Sequence, residues 1–182
     1  MVGAVPLSGV RVLGLGNVLM GDDALGPWVI EELLARGEFP EEGSVLDVGT
    51  PGLDLTPYLA GADTVLLVDT VKGDPPAGRM RVYSREELLT RPPQPRFSPH
   101  DPGLTDALFT LSFAGCAPRD VVLVGVVPDV VAKGIGLSGS VQQAVPVAAA
   151  EVVRRLTALG FLPRPKASAK AACPWWEQAV AT

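Results

Sequence analysis

"VRVLGLGNVLMGDDALGPWVIEELLARG", residues 10–37, is the stretch that decides the fold. Its first seven residues are β-rich and end in glycines, the composition of a short strand. From Ala24 the period changes. Leu25, Trp28, Val29, Leu33 and Leu34 recur at helical spacing, and Gly37 suits the helix end. Pro27 belongs in a first helical turn, where its missing N–H has no partner to lose.

The alternation continues along the chain. "SVLDVG" (44–49) reads as a second strand ending at Asp47, and "GLDLTPYLAG" (52–61) as a short helix or turn. "DTVLLVDTV" (63–71) places five apolar or β-branched residues before Asp69, as a fully buried central strand does. "GRMRVYS" (78–84) alternates like an edge strand, and Ser84 followed by Glu87 is a capping box. A helix over 104–115 with Thr105 as its N-cap, a buried strand over 120–128 and a final helix over 138–160 follow. This pattern predicts an α/β fold with a largely parallel sheet covered on both faces. Residues 1–162 are expected to form one domain. Residues 163–182, rich in Pro, Ala and Lys, are expected to be a loosely packed tail.

Composition narrows the function. Apolar residues make up 47% and charged residues 19% of 182, which is globular and not disordered. A net charge of −5 without any Lys/Arg run argues against nucleic acid and against an anionic membrane surface. Cys116 and Cys173 form no disulfide framework or thiolate zinc motif. The first residues lack the basic region of a signal peptide, so a cytoplasmic protein is expected.

Ligands in such folds bind beyond the carboxyl ends of the strands. Asp22 and Asp23 follow strand one, Asp47 ends strand two, and Asp69 ends strand three. The chain's single histidine, His100, lies in the proline-rich loop 91–101. Two carboxylates and an imidazole on one rim form an O,O,N set suited to zinc, nickel, iron or manganese with positions left open. Each residue also has a plainer reading, as a helix cap, a turn residue or a surface imidazole. A dinucleotide site is a further alternative, because "GLGNVL" (14–19) begins like G-x-G-x-x-G. Leu19 replaces its third glycine, however, and Asp22 and Asp23 would repel a pyrophosphate at the helix start.

Five segments together carry a family resemblance: "VLGLGNVLMGDDALGPWVIEEL", "VGTPGLDL", "LLVDTV", "SPHDPGL", and "VVLVGVVPD" with "GIGLSGSV". In this order, over roughly Val10 to Leu159, the chain resembles the hydrogenase maturation endopeptidases, and is closest to the branch serving membrane-bound uptake hydrogenases. The resemblance implies a three-layer α/β/α fold around a twisted, mostly parallel five-stranded sheet with one strand opposed. It implies a hydrolase that removes the C-terminal extension of the nickel–iron hydrogenase large-subunit precursor after nickel insertion. Its metal ligands, carried onto matching positions, are Asp23, Asp69 and His100, and the same three are the expected catalytic set.

The expected metal is a divalent ion, nickel first, supplied by protease or substrate; zinc or cadmium could occupy the site. Asp23 stands where relatives often carry Glu. Asp22 and Asp47 are candidates for a general base. Gly49, Thr50 and Gly52 form a loop where a substrate backbone could approach closely. A monomer is expected. Two other readings use the same residues: a nickel-binding maturation chaperone or checkpoint that cuts nothing, and a Rossmann-like nucleotide-binding oxidoreductase.

Overall fold

The computed structural model describes residues 9–39, 44–51, 55–90, 101–167 and 172–178. In chain order the elements are β1 (Val10–Leu15), a 3₁₀ turn (Gly21–Ala24), α1 (Leu25–Arg36), β2 (Gly37–Glu38), β3 (Val45–Gly49), α2 (Thr56–Leu59) and β4 (Thr64–Thr70). Then come β5 (Met80–Tyr83), α3 (Arg85–Thr90), α4 (Asp101–Phe113), β6 (Asp120–Val126), α5 (Gly139–Ala158), β7 (Arg164–Pro165) and α6 (Trp175–Gln178).

Five strands form one sheet in the order β3-β1-β4-β6-β5. All neighbours are parallel except the β5–β6 pair, so the alternating segment is the opposed edge strand. Strand alternation sends successive side chains to opposite faces. On one face Val10, Val12, Leu66, Val68 and Val124 pack against Trp28, Val29 and Ile30 of α1 and Val141, Val145 and Val152 of α5. On the other, Leu13, Val65, Leu67 and Leu123 pack against Leu59 of α2 and Leu104, Leu108 and Leu111 of α4. The central strand β4 feeds both cores, which is why it reads as an unbroken apolar run.

Glycines set how closely α1 lies on the sheet. A Cβ on Gly26 would overlap the backbone of Leu15, and one on Gly16 would overlap the carbonyl of Asp23. Gly16 also holds φ +135°, which side-chain-bearing residues rarely adopt. The glycines of "GLGN" therefore draw the helix start onto the strand end.

The capping box forms as expected. The Ser84 N–H and hydroxyl both donate to Glu87 Oε2 at 2.8 Å, and the Glu87 N–H returns to Ser84 Oγ at 3.3 Å. Two expectations need correction. α4 starts at Asp101, so Thr105 lies inside the helix and is not its cap. The second strand passes through Asp47 and ends at Gly49.

The C-terminal segment is not loosely packed where it is described. β7 pairs antiparallel with β2 at the end of α1. The Lys166 N–H donates to the Arg36 carbonyl at 3.0 Å, and Lys166 Nζ to the Leu34 carbonyl at 2.6 Å, satisfying exposed carbonyls of the last helical turn. Trp176 is 2% exposed and meets Trp28, in the first turn of α1, edge-to-face at 6.1 Å. Burying an indole outweighs the poor ordering tendency that the Pro/Ala/Lys composition suggests. Among the described residues no helix is long and apolar enough to cross a membrane.

Candidate active site

From β1 the chain crosses to β3 on one side and later to β4 on the other. Where strand order reverses in this way a crevice opens beyond the carboxyl ends, here between β1 and β4. The turn after β1 holds Asp22 and Asp23, and β4 ends at Asp69 and Thr70. All three aspartates are buried, at 0%, 7% and 7% exposure.

Thr70 joins two of them. Its hydroxyl donates to Asp23 Oδ1 at 3.3 Å, and its backbone N–H donates to Asp69 Oδ1 at 2.7 Å. Strand alternation puts Thr70 on the α1 face and Asp69 on the other face, so the two carboxylates approach the strand end from both layers. The backbone N–H of Asn17 donates to Asp23 Oδ2 at 3.0 Å and to the Asp23 carbonyl at 3.1 Å. Among the described residues no Lys or Arg forms an ion pair with Asp23. A buried carboxylate held only by neutral donors retains a demand for a cation. The donor chemistry of Asp23 therefore fits a hard or borderline divalent ion, and Asp69 brings a second carboxylate to the same Thr70.

Two ligands do not complete a site. Among the described residues no three His, Cys, Asp or Glu side chains converge closely enough to hold a metal. His100 and Gly52 lie outside the described residues. α4 nevertheless begins, at Asp101, directly after His100 in sequence. Its far end is at the base of the sheet, where the Gly61 N–H donates to the Cys116 carbonyl at 2.9 Å and Asp120 pairs with Thr64. A helix of 13 residues spans about 20 Å, and its Leu104, Leu108 and Leu111 pack on the sheet face that carries Leu13, Val65 and Leu67.

The two base candidates are placed elsewhere. Asp22 is spent: its carboxylate accepts from the Asp129 and Val130 N–H groups at 2.8 Å, and from the Ser138 N–H at 2.6 Å and hydroxyl at 2.8 Å. Asp47 pairs in register with Gly14, below the rim, and the nearby charge of Glu31 on α1 is its electrostatic neighbour. Partial loss of hydration raises the Asp47 pKa, and the Gly49 N–H at 2.9 Å opposes that rise. Glu31 is raised first by its own burial and then by Asp47.

Gly49 does stand on the rim. Its carbonyl accepts from the Gly16 N–H at 2.9 Å, its φ is +61°, and the space where a Cβ would sit is open. Thr50 beside it is exposed. Thr70, Ser138 and the Asn17 N–H were not singled out from sequence. Neutral residues carry no charge signal, and only the adjacency of Thr70 to Asp69 could have drawn notice.

Residues 27–155 match the model of the hydrogenase maturation protease family. The chain belongs to that family. It is 32% identical over 151 residues to the hydrogenase 2 maturation protease of Escherichia coli, covering 83% of this chain and 92% of the relative. It is 30% identical to the hydrogenase expression/formation protein HupD of Rhodobacter capsulatus, covering 84% and 73%. The solved structure of the hydrogenase maturating endopeptidase HybD from Escherichia coli superposes with a TM-score of 0.78 at 33% identity, over 86% of this chain and 97% of that one. The maturation protease family, the mostly parallel five-stranded α/β fold and the HupD-type relatives agree with what the sequence implies. The Gly-rich turn after β1 serves the close approach of α1, since a Cβ on Gly14, Gly16 or Gly26 would overlap the facing segment.

Proposed function

We propose that this maturation protease is a metal-dependent endopeptidase that removes the C-terminal extension of a nickel–iron hydrogenase large-subunit precursor, with Asp23, Asp69 and His100 as ligands. One observation carries the reading: at the topological switch point two buried carboxylates are bound to the same residue, Thr70. A divalent ion bound there supplies Lewis acidity to a carbonyl and makes water more acidic. Asn17 and Thr70 hold the Asp23 oxygens, and Gly49 leaves room for an extended backbone at the rim.

The Asp22 carboxylate already accepts four hydrogen bonds, and Asp47 lies level with Val68, so neither candidate adjoins Thr70 as Asp23 and Asp69 do. That favours the mode in which nickel already held by the precursor is recognised by these side chains. The ion is then substrate-borne and reports that insertion is complete. Nickel is the expected ion, with zinc or cadmium able to occupy the same donors. The reading takes the chain as a cytoplasmic monomer, in keeping with cysteines that form no disulfide framework.

Intact mass spectrometry tests this on a precursor prepared with and without nickel. The parent protein should release one C-terminal peptide from the loaded precursor only, and His100→Ala and Asp23→Asn should release none. Release from the nickel-free precursor at the same rate would defeat the recognition mode. Unchanged mass throughout, with retained binding, would leave a chaperone or checkpoint.

A further inference from the structure

The carboxylate of Asp22 is fully buried, yet it never reaches the crevice. Its four donors come from residues 107 to 116 positions away, all in or beside the 128–138 segment that joins β6 to α5. The backbone reinforces the same join. The Asp22 N–H donates to the Val130 carbonyl at 3.0 Å, the Gly21 N–H to the Gly134 carbonyl at 2.9 Å, and the Gly134 N–H to the Leu19 carbonyl at 2.9 Å. Asp22 also stands beside Ser138, the residue before the first turn of α5, where the helix dipole favours a negative charge.

The next residue is Asp23, whose carboxylate is turned the other way, toward Asn17 and Thr70. The two neighbouring carboxylates therefore have opposite tasks. One is consumed by protein donors, and the other is kept short of them. The turn that carries both is a single 3₁₀ turn of four residues, too short to hold a fixed shape by its own hydrogen bonds.

We propose that Asp22 is a positioning residue: by anchoring the 128–138 segment it fixes the turn that aims Asp23 toward Asp69. This rests on the reading of Asp23 as a metal ligand. Asparagine is the informative replacement because every backbone group facing the Asp22 carboxylate is a donor. Whichever oxygen becomes an amide, an N–H meets an N–H: that of Ser138 on one side, those of Asp129 and Val130 on the other. An unmatched buried donor should loosen the join while sparing the rest of the fold.

The Asn17 N–H reports the result, since both its acceptors belong to Asp23. Amide exchange by NMR on metal-free protein should show Asn17 exchanging about tenfold faster in Asp22→Asn. In Val152→Ala, a cavity variant in the core beneath α5, it should be unchanged relative to the global rate. Titration with Ni²⁺ alone should then show about tenfold weaker binding in Asp22→Asn and parent-like binding in Val152→Ala. Parent-like Asn17 exchange in Asp22→Asn, with faster exchange only at Asp129 and Val130, would overturn the proposal. If Asp22→Asn does not fold, Ser138→Ala keeps three of the four bonds and is read in the same way, with about threefold faster exchange expected at Asn17 and no change overturning the idea. A parent that binds no free Ni²⁺ would count against Asp23 as a ligand outside the nickel-loaded precursor, while the Asn17 exchange would still decide whether Asp22 positions its neighbour.

Discussion

Thr70 shows how little of a site needs to be charged. Its hydroxyl and its N–H each hold one of the two carboxylates, so its contribution is orientation. Thr70→Val keeps the shape and removes the hydroxyl. A hydrogen bond to a charged group contributes about 1.5–3 kcal/mol, and the 3.3 Å length here places this one at or below the low end. Ni²⁺ binding by calorimetry should weaken about five- to tenfold, with the unfolding free energy shifted by less than ~1 kcal/mol. Binding equal to the parent's would show that the Asn17 N–H alone orients Asp23.

Asp47 makes the opposite case. Its raised pKa means the folded protein holds that proton more tightly than the unfolded chain does. Stability therefore rises as pH falls through the raised pKa, and because Asp47 is partly exposed to solvent the effect is small. Asp47→Asn should be slightly more stable at pH 7 by urea denaturation and should cut the loaded precursor at the parent's rate. A large loss of cleavage would return Asp47 to the chemistry.

The strand-end positions of Asp23 and Asp69 were legible in sequence because the apolar patterns of β1 and β4 are unmistakable. Asp47 lies further from its strand end than expected because "VLDVG" contains no stop signal. The strand carries two residues further and the register slips between Gly14 and Leu15, which lowers Asp47 relative to the rim.

Among elements, those with local chemistry were the readable ones. The capping box at Ser84–Glu87 and the edge character of β5 follow from a few adjacent residues. The start of α4 does not, because Asp-Pro-Gly reads as a turn while the helix begins there. α5 offers a test of an element's own electrostatics. Glu151 accepts from Arg154 Nε and Nη2 at 2.8 Å and from Arg155 Nε at 2.7 Å, and the Arg154 hydrogen bonds, with help from Arg155, lower its pKa to about 2. A lowered carboxylate pKa gives stability that is present above the unfolded value of about 4.5 and is lost as pH falls through about 2. Arg154 is 63% exposed, so solvent screening reduces the free energy well below the full shift, to about 1 kcal/mol. Glu151→Gln should lose that much at pH 7 and nothing near pH 2, measured by urea unfolding across the range. A pH-independent difference would mean that packing, not charge, sets its effect.

At the scale of the whole molecule, the C-terminal segment touches both ends of α1. β7 and Lys166 hold the last turn, and Trp176 covers Trp28 in the first. The first turn of α1 follows directly from the 3₁₀ turn that presents Asp23, so the segment braces the site from outside. Composition concealed this, because a Pro/Ala/Lys stretch resembles an unpacked extension and the contact depends on one indole finding another 148 residues earlier in the chain. The neighbouring tryptophan separates bracing from partner docking: Trp175 is 67% exposed, whereas Trp176 is buried. Truncating a buried Trp to Ala costs about 3–5 kcal/mol, a large share of the 5–15 kcal/mol that holds a domain together. Trp176→Ala should therefore lower the unfolding free energy by about 3 kcal/mol in a single cooperative transition, and Trp175→Ala should lie within about 0.5 kcal/mol of the parent. A double-mutant cycle of Trp176→Ala with Trp28→Ala should return a coupling of about 1 kcal/mol from the edge-to-face pair. A Trp176→Ala variant as stable as the parent would show that the segment does not brace α1.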